Sequence, residues 1–280
     1  MRHSVIAGTA AIAFVLAASA GQATGINFST DTCKHDYSTP YDVDVTPAGL
    51  SFHRTDGVPA QVFLHDGALR VDGKAIAVAA KDAEALRRYE AGVRALMPQV
   101  AAIAREGVEL GFSAMTTVTL SFADGDQRAR MLEKLKRKQV DALREIDEGV
   151  GAGHWSSDRM TETVAGSVSD SVGELVGSVT SSAVTATLSG DASKVAALQA
   201  RAESLDKSMD REMNKRSKAL EAKADAICPQ LNDLAGLQQG WNVRLGNGKP
   251  LELMMIKPKS EHHDHDSDHH GDSDQKVVSF

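Results

Sequence analysis

Val62-Phe63-Leu64-His65-Asp66-Gly67-Ala68-Leu69-Arg70-Val71-Asp72-Gly73 sets two Asp-Gly steps between alternating apolar and polar residues. Asp-Gly supplies the positive φ that a tight hairpin turn needs, so the stretch predicts consecutive antiparallel hairpins. Upstream, Val43-Asp44-Val45 and Leu50-Ser51-Phe52 alternate in the same way around Pro47, Ala48 and Gly49. Residues 42–78 therefore read as a small antiparallel meander. At Lys81 the period changes. Leu86, Tyr89, Val93, Leu96, Val100, Ile103 and Gly107 recur at spacings of three and four, the stripe of an amphipathic helix. Pro98 is expected to kink or divide that helix, because it removes a backbone donor. The β-branched run from Thr116 to Phe122 leaves its end open.

Further helical patterns follow. Leu132, Leu135, Gln139, Leu143, Ile146 and Val150 form a stripe over residues 126–150, with charges on the other faces and Asp124-Gly125-Asp126 as loop and N-cap. Val164, Val168, Val172 and Val176 fall every four residues beside a line of Ala165, Ser169, Gly173, Gly177 and Ser181. Gly173-x-x-x-Gly177 has the form of a membrane dimerisation face. Glu162, Asp170 and Glu174 make a membrane span costly, so the expectation is a helix packed closely on a neighbour through its small face. Residues 191–228 approximate a heptad seam through Val195, Leu198, Ala202, Leu205, Met209, Met213, Arg216 and Leu220, capped by Asp191 and stopped by Pro229. Trp241–Leu245 and Leu251–Met254 alternate around Gly246-Asn247-Gly248, a second hairpin signal over 241–255 that could join the N-terminal strands. The expected fold is α+β and mainly α: three to four long helices, with small antiparallel hairpins near both ends of the mature chain.

The N-terminus reads as an address. Met1-Arg2-His3 is basic, Val5 to Ala18 is apolar, and Ala18-Ser19-Ala20 has the small-x-small pattern that signal peptidase cuts after. Residues 1–20 are therefore expected to be a signal peptide, too short and too rich in Ala and Gly for a span of about 20 strongly apolar residues. No cysteine follows the cleavage region directly, and Cys33 lies too far along, so a lipid anchor is not expected. The expected location is the periplasm. In an oxidising compartment the two cysteines, Cys33 and Cys228, suggest a disulfide closing a loop of about 200 residues. Two free buried thiols are the alternative.

The chain has 280 residues, 4% aromatic, and a net charge of −7. Six acids and two lysines place −4 of that charge on residues 259–280. The rest is nearly neutral and has no basic half, so general nucleic-acid binding has little electrostatic support. After Pro258 the composition is low in complexity, and a disordered tail is expected. In it His262, His263, His265, His269 and His270 alternate with aspartates, and imidazole with carboxylate suits Zn, Ni or Cu. Such a tract lacks the outer-shell support of a rigid catalytic centre.

No His-Glu-x-x-His, Walker loop, Gly-x-Ser-x-Gly or Cys-x-x-Cys occurs. Ser204-Leu205-Asp206-Lys207 has the Ser-x-x-Lys form, without the Ser-Asp-Asn and Lys-Thr-Gly that accompany it in penicillin-recognising enzymes; it reads as a charged helix face. His53 and His65 lie on predicted strands and could approach each other, with a structural role as the plainer expectation.

Tyr41-Asp42-Val43-Asp44-Val45-Thr46-Pro47, the Asp-Gly hairpins, Tyr89-Glu90-Ala91-Gly92-Val93-Arg94-Ala95-Leu96-Met97-Pro98, Glu109-Leu110-Gly111-Phe112 and Cys228-Pro229 together resemble the YggN-like family. The resemblance covers roughly residues 30–255. It implies a periplasmic domain of unknown function over residues 21–258 and offers no catalytic residues to carry over. The expected function is a non-enzymatic envelope protein that binds a partner, or itself, through helix faces. The alternative is metal binding or buffering by the tail.

Overall fold

The computed structural model describes residues 26–28, 30, 33, 35–123, 125–156, 166–188 and 192–258. The expected signal peptide and the His/Asp tail, with His262, His263, His265, His269 and His270, lie outside them. The fold is α+β and mainly helical. β1 (Ile26–Phe28), β2 (His35–Thr39) and β9 (Met255–Pro258) form one antiparallel sheet in the order β1-β2-β9. β3 (Asp42–Thr46), β4 (Gly49–His53), β5 (Gln61–His65), β6 (Ala68–Val71), β7 (Lys74–Ile76) and β8 (His154–Trp155) form the second, in the order β7-β6-β5-β4-β3-β8.

The Asp-Gly steps make the turns expected of them. Asp66 and Asp72 have φ of 45° and 48°, and Gly67 and Gly73 of 75° and 77°. The two turns differ in their surroundings. A Cβ on Gly67 would lie 2.6 Å from the carbonyl of Ala83, whereas Gly73 has nothing within 4 Å. Alanine at either site meets left-handed strain of about 1–2 kcal/mol. Gly67→Ala is therefore expected to lower the urea midpoint clearly more than Gly73→Ala; equal losses would show that the hairpin does not bear on the helix beneath it.

That helix, α1 (Ala80–Phe122), runs 43 residues, about 65 Å at 1.5 Å per residue. It does not divide at Pro98. Pro98 is exposed, while Val93, Met97, Val100, Ala101 and Ile103 around it are buried, so packing on both sides offsets the lost bond. The β-branched end stays helical because Phe112, Met115 and Thr119 are buried against the core, which overrides local propensity; the hydroxyls of Thr117, Thr119 and Ser121 donate to carbonyls four residues back. α1 packs against α2 (Gly125–Glu148), α4 (Ala192–Asp225) and α5 (Cys228–Gly240), and α3 (Gly166–Leu188) packs on α4.

Among the described residues these are five helices, against the three to four expected. The difference lies at Pro229, which sits in the first turn of α5 rather than ending the chain's helical part; a first-turn N–H has no helical partner, so proline is tolerated there. The seam expected along residues 191–228 buries mainly its end, at Leu220, Ala224 and Ile227, while Val195 and Ala202 are exposed. Among the described residues the small face does not make the expected close packing. A Cβ on Gly173 or Gly177 would meet nothing within 4 Å, and α3 instead buries Ser171 and Leu175.

Residues 241–255 make a turn with one bridge, Arg244 to Pro250, and amide bonds from Leu245 to Lys249 O and from Leu251 to Val243 O. Pro250 has no N–H to extend the ladder. The strand that joins the N-terminal sheet comes later, at β9. Side chains hold the turn instead: Trp241 Nε1 donates to Leu251 O at 3.1 Å and Thr39 Oγ1 to Leu253 O at 2.7 Å. The sulfurs of Cys33 and Cys228 are joined in a disulfide, with their Cα atoms 5.5 Å apart, tying the start of β2 to the start of α5.

Glu90 of α1 secures the β5–β6 turn. Its carboxylate accepts the Asp66 amide at 2.9 Å and the Arg94 guanidinium at 2.6 Å, with His65 Nδ1 at 3.5 Å. Burial alone would raise its pKa; the bonds from Arg94, Asp66 and His65 outweigh burial and leave it lowered. A lowered carboxyl stabilises the fold above its unfolded value, near 4.3, and this is lost as pH falls through the folded value. Glu90→Gln should therefore cost about 2 kcal/mol at neutral pH, and the gap should close below about pH 4. Urea titrations at pH 7 and pH 3 check this; a gap that ignores pH would remove the charge from the account.

Candidate functional site

β3 has two different faces. Val43 is buried and stands opposite Phe52 and Trp155, whereas Asp42 and Asp44 point the other way. On that polar face Asp44 lies directly across from His154 and diagonally from His53, whose opposite partner is Asp42. Asp44 Oδ2 is 3.0 Å from His53 Nε2, and Asp44 Oδ1 is 2.7 Å from His154 Nδ1. Since a carboxylate only accepts, each imidazole presents an N–H on that nitrogen and leaves its other nitrogen free to accept in the neutral form. Glu145, Gly149 and Ser156 complete a cleft of 230 Å³.

Chemically this is a carboxylate held by two imidazoles, all three at least a third exposed. It can orient polar groups. It does not gather a metal: among the described residues no three His, Cys, Asp or Glu side chains converge as ligands. His53 and His65, expected as possible neighbours, are not paired. The β4–β5 register sets His53 against Gln61, and His65 turns to Glu90. Asp44 was findable from the β3–β4 register; His154, 110 residues away, carried no signal of its approach. Ser204 and Asp206, from the Ser-x-x-Lys match, are exposed on α4.

A second surface lies on α3. Val172, Val176, Val184 and Leu188 are 44%, 58%, 50% and 83% exposed, with Val195 of α4 at 41%. The charges on the same helix are drawn sideways to α2, where Glu174 pairs with Lys134 and Asp170 lies 3.6 Å from Lys138. No described helix is long and apolar enough to cross a membrane.

A long-helix core, two small antiparallel sheets and a disulfide joining distant segments define the class as α+β and mainly helical. Residues 36–254 match the family described as a protein of unknown function, DUF2884, and the chain belongs to that family. The YggN-like resemblance agrees with it. No curated protein and no solved structure matches the chain.

Proposed function

We propose that this is an exported, periplasmic, non-enzymatic envelope protein that binds a partner protein through the exposed face of α3. The observation that carries the reading is the row of exposed Val172, Val176, Val184 and Leu188 on a helix where a Cβ on Gly173 or Gly177 would meet no described atom within 4 Å. Isolated exposed apolar residues need no explanation, but four along one helix, interrupted only by Thr180, suit an interaction surface. Four-residue spacing forms the ridge that packs into the groove of another helix, so the occupant is an apolar helix face. The apolar run Val5–Ala18 and the disulfide support export to an oxidising compartment.

The test is photo-crosslinking in the periplasm from Val176 and Leu188. A discrete product that Val172→Asp with Val184→Asp abolishes supports the reading, and a product at twice the chain's mass assigns the face to a second copy. No product, or one indifferent to those changes, overturns it. N-terminal sequencing of the exported protein should begin after Ala20; retention of Met1 would refute cleavage.

A second reading rests on the interleaved imidazoles and carboxylates of residues 262–274: the tail binds Zn, Ni or Cu. Calorimetric titration of each metal into the full chain and into residues 1–258 is expected to show uptake only by the full chain. Equal uptake would end the tail's claim.

A further inference from the structure

The other face of β3 borders a separate, apolar pocket of 120 Å³ between both sheets, α1 and α5. Val43, Phe52 and Leu234 wall it, and half-buried Phe28, Leu96 and Trp155 also line it. It is half open to solvent, and among the described residues no charged side chain lines it. A cavity of about 150 Å³ takes a benzene-sized molecule, so this pocket suits one uncharged ring with the rest of its molecule outside. The chain carries such a group beyond the described fold. Residues 259–276 follow β9 without one apolar side chain, and Val277-Val278-Ser279-Phe280 then brings three apolar residues in four. The connection is long enough. Met255 stands opposite Ser38 and Pro258 opposite His35, and Ser38 and Met254 line the pocket. Pro258 is therefore about 10 Å along the strand from the pocket wall. The 22 residues from Pro258 to Phe280 reach at most about 75 Å and span roughly 25 Å as a flexible coil, so Phe280 can return to the pocket with slack.

We propose that the Phe280 ring occupies this pocket, folding Val277–Phe280 back onto the body of its own chain. In an extended segment Val278 lies on the same side as Phe280, and it covers the rim. Burial of one ring and part of a valine gives a free peptide a dissociation constant on the order of 1–10 mM. A short flexible tether supplies an effective concentration in the same millimolar range. The contact therefore forms within one molecule where it would not form between two at micromolar concentration. The His/Asp tract is then held as a loop with both ends on the body. This inference rests on neither the α3 face nor metal uptake by the tail.

The test compares the full disulfide-bonded chain with its Phe280→Ser variant, both with ¹³C-labelled methionine methyls. Met97 and Met254 line the pocket, and Met131 of α2 does not. The Met97 and Met254 signals are expected to differ between the two chains, because a ring is lost from beside them, while Met131 stays in place. The peptide Gln275–Phe280, added to the variant, should return both signals toward their parent positions saturably with a millimolar midpoint. The same peptide carrying Phe280→Ser should not, and dilution of the parent chain should leave its signals unchanged. Coincident Met97 and Met254 signals in the two chains, shifts that extend equally to Met131, or a serine peptide as effective as the phenylalanine one would each overturn the proposal. So would parent signals that move toward the variant's on dilution, which would assign the segment to a second copy.

Discussion

Replacing Cys33 and Cys228 together by serine is expected to be the most damaging pair of changes in this protein. The bridge spans 195 residues. In the chain-entropy account, cross-linking a loop of that length restricts the unfolded chain by an amount equivalent to about 5 kcal/mol, while removal of native bridges costs about 2–5 kcal/mol. The upper part of that range is expected here, because each cysteine is placed by a different end of the fold and the half-cystines share local contacts. Cys33 N–H bonds Thr30 Oγ1 at 3.3 Å, and that hydroxyl lies 3.5 Å from Cys228 Sγ. Urea unfolding of the oxidised protein and of the double-serine variant measures the effect. The midpoint should fall and the m-value should rise, since an unlinked chain exposes more surface on unfolding. A change below about 1 kcal/mol would mean that the β1-β2-β9 sheet holds the two ends together without the bridge.

Gln238→Leu is expected to cost about 3 kcal/mol or more, several times an average surface change. Gln238 is buried on α5 and serves three backbone groups at once. Its Oε1 accepts the amides of Leu253 and Met254 at 2.8 and 2.9 Å, and its Nε2 donates to Met254 O at 2.6 Å. Leucine fills a similar volume but leaves two donors and an acceptor without partners beside Leu253, which is fully buried. Gln238→Glu separates shape from hydrogen bonding. One carboxyl oxygen can still accept both amides, but the other meets a carbonyl and must carry a proton to bond it. The folded-state pKa of that glutamate is then raised, so its stability should be fullest below about pH 4.3 and decline as pH rises through the folded value. Thermal unfolding from pH 4 to pH 8 reads this out. A Glu variant whose stability ignores pH, or a Leu variant as stable as the parent, would show that the 251–254 segment does not depend on this side chain.

Much of the architecture could be read from local chemistry. The Asp66-Gly67 and Asp72-Gly73 turns were legible because positive φ has few solutions in sequence, and both formed hairpins. The stripe Leu86-Tyr89-Val93-Val100-Ile103 was legible because a single helix face met the core. Pro98 misled because the penalty of one proline is local, whereas the packing that outweighs it comes from α4 and α5, far along the chain. Pro229 misled for a positional reason: the same residue ends one helix pattern and opens another. The small residues at Gly173 and Gly177 allow close approach but do not require it, and nothing local specifies the neighbour. The Asp44–His154 contact was not legible, since it depends on which strands meet in space. Tyr89 was read correctly as a core position, but its ring contact with Trp241 is visible only once its neighbours are in place.

The middle strand of the β1-β2-β9 sheet comes from the beginning of the described chain and one flank from its end. Contacts of such separation raise the contact order, and the loop between them must be closed before the pairing is rewarded. A chain truncated before Met255 would leave β2 with an open hydrogen-bonding edge, the kind of edge that recruits strands from other molecules. C-terminal truncation should thus convert a folding defect into an association defect.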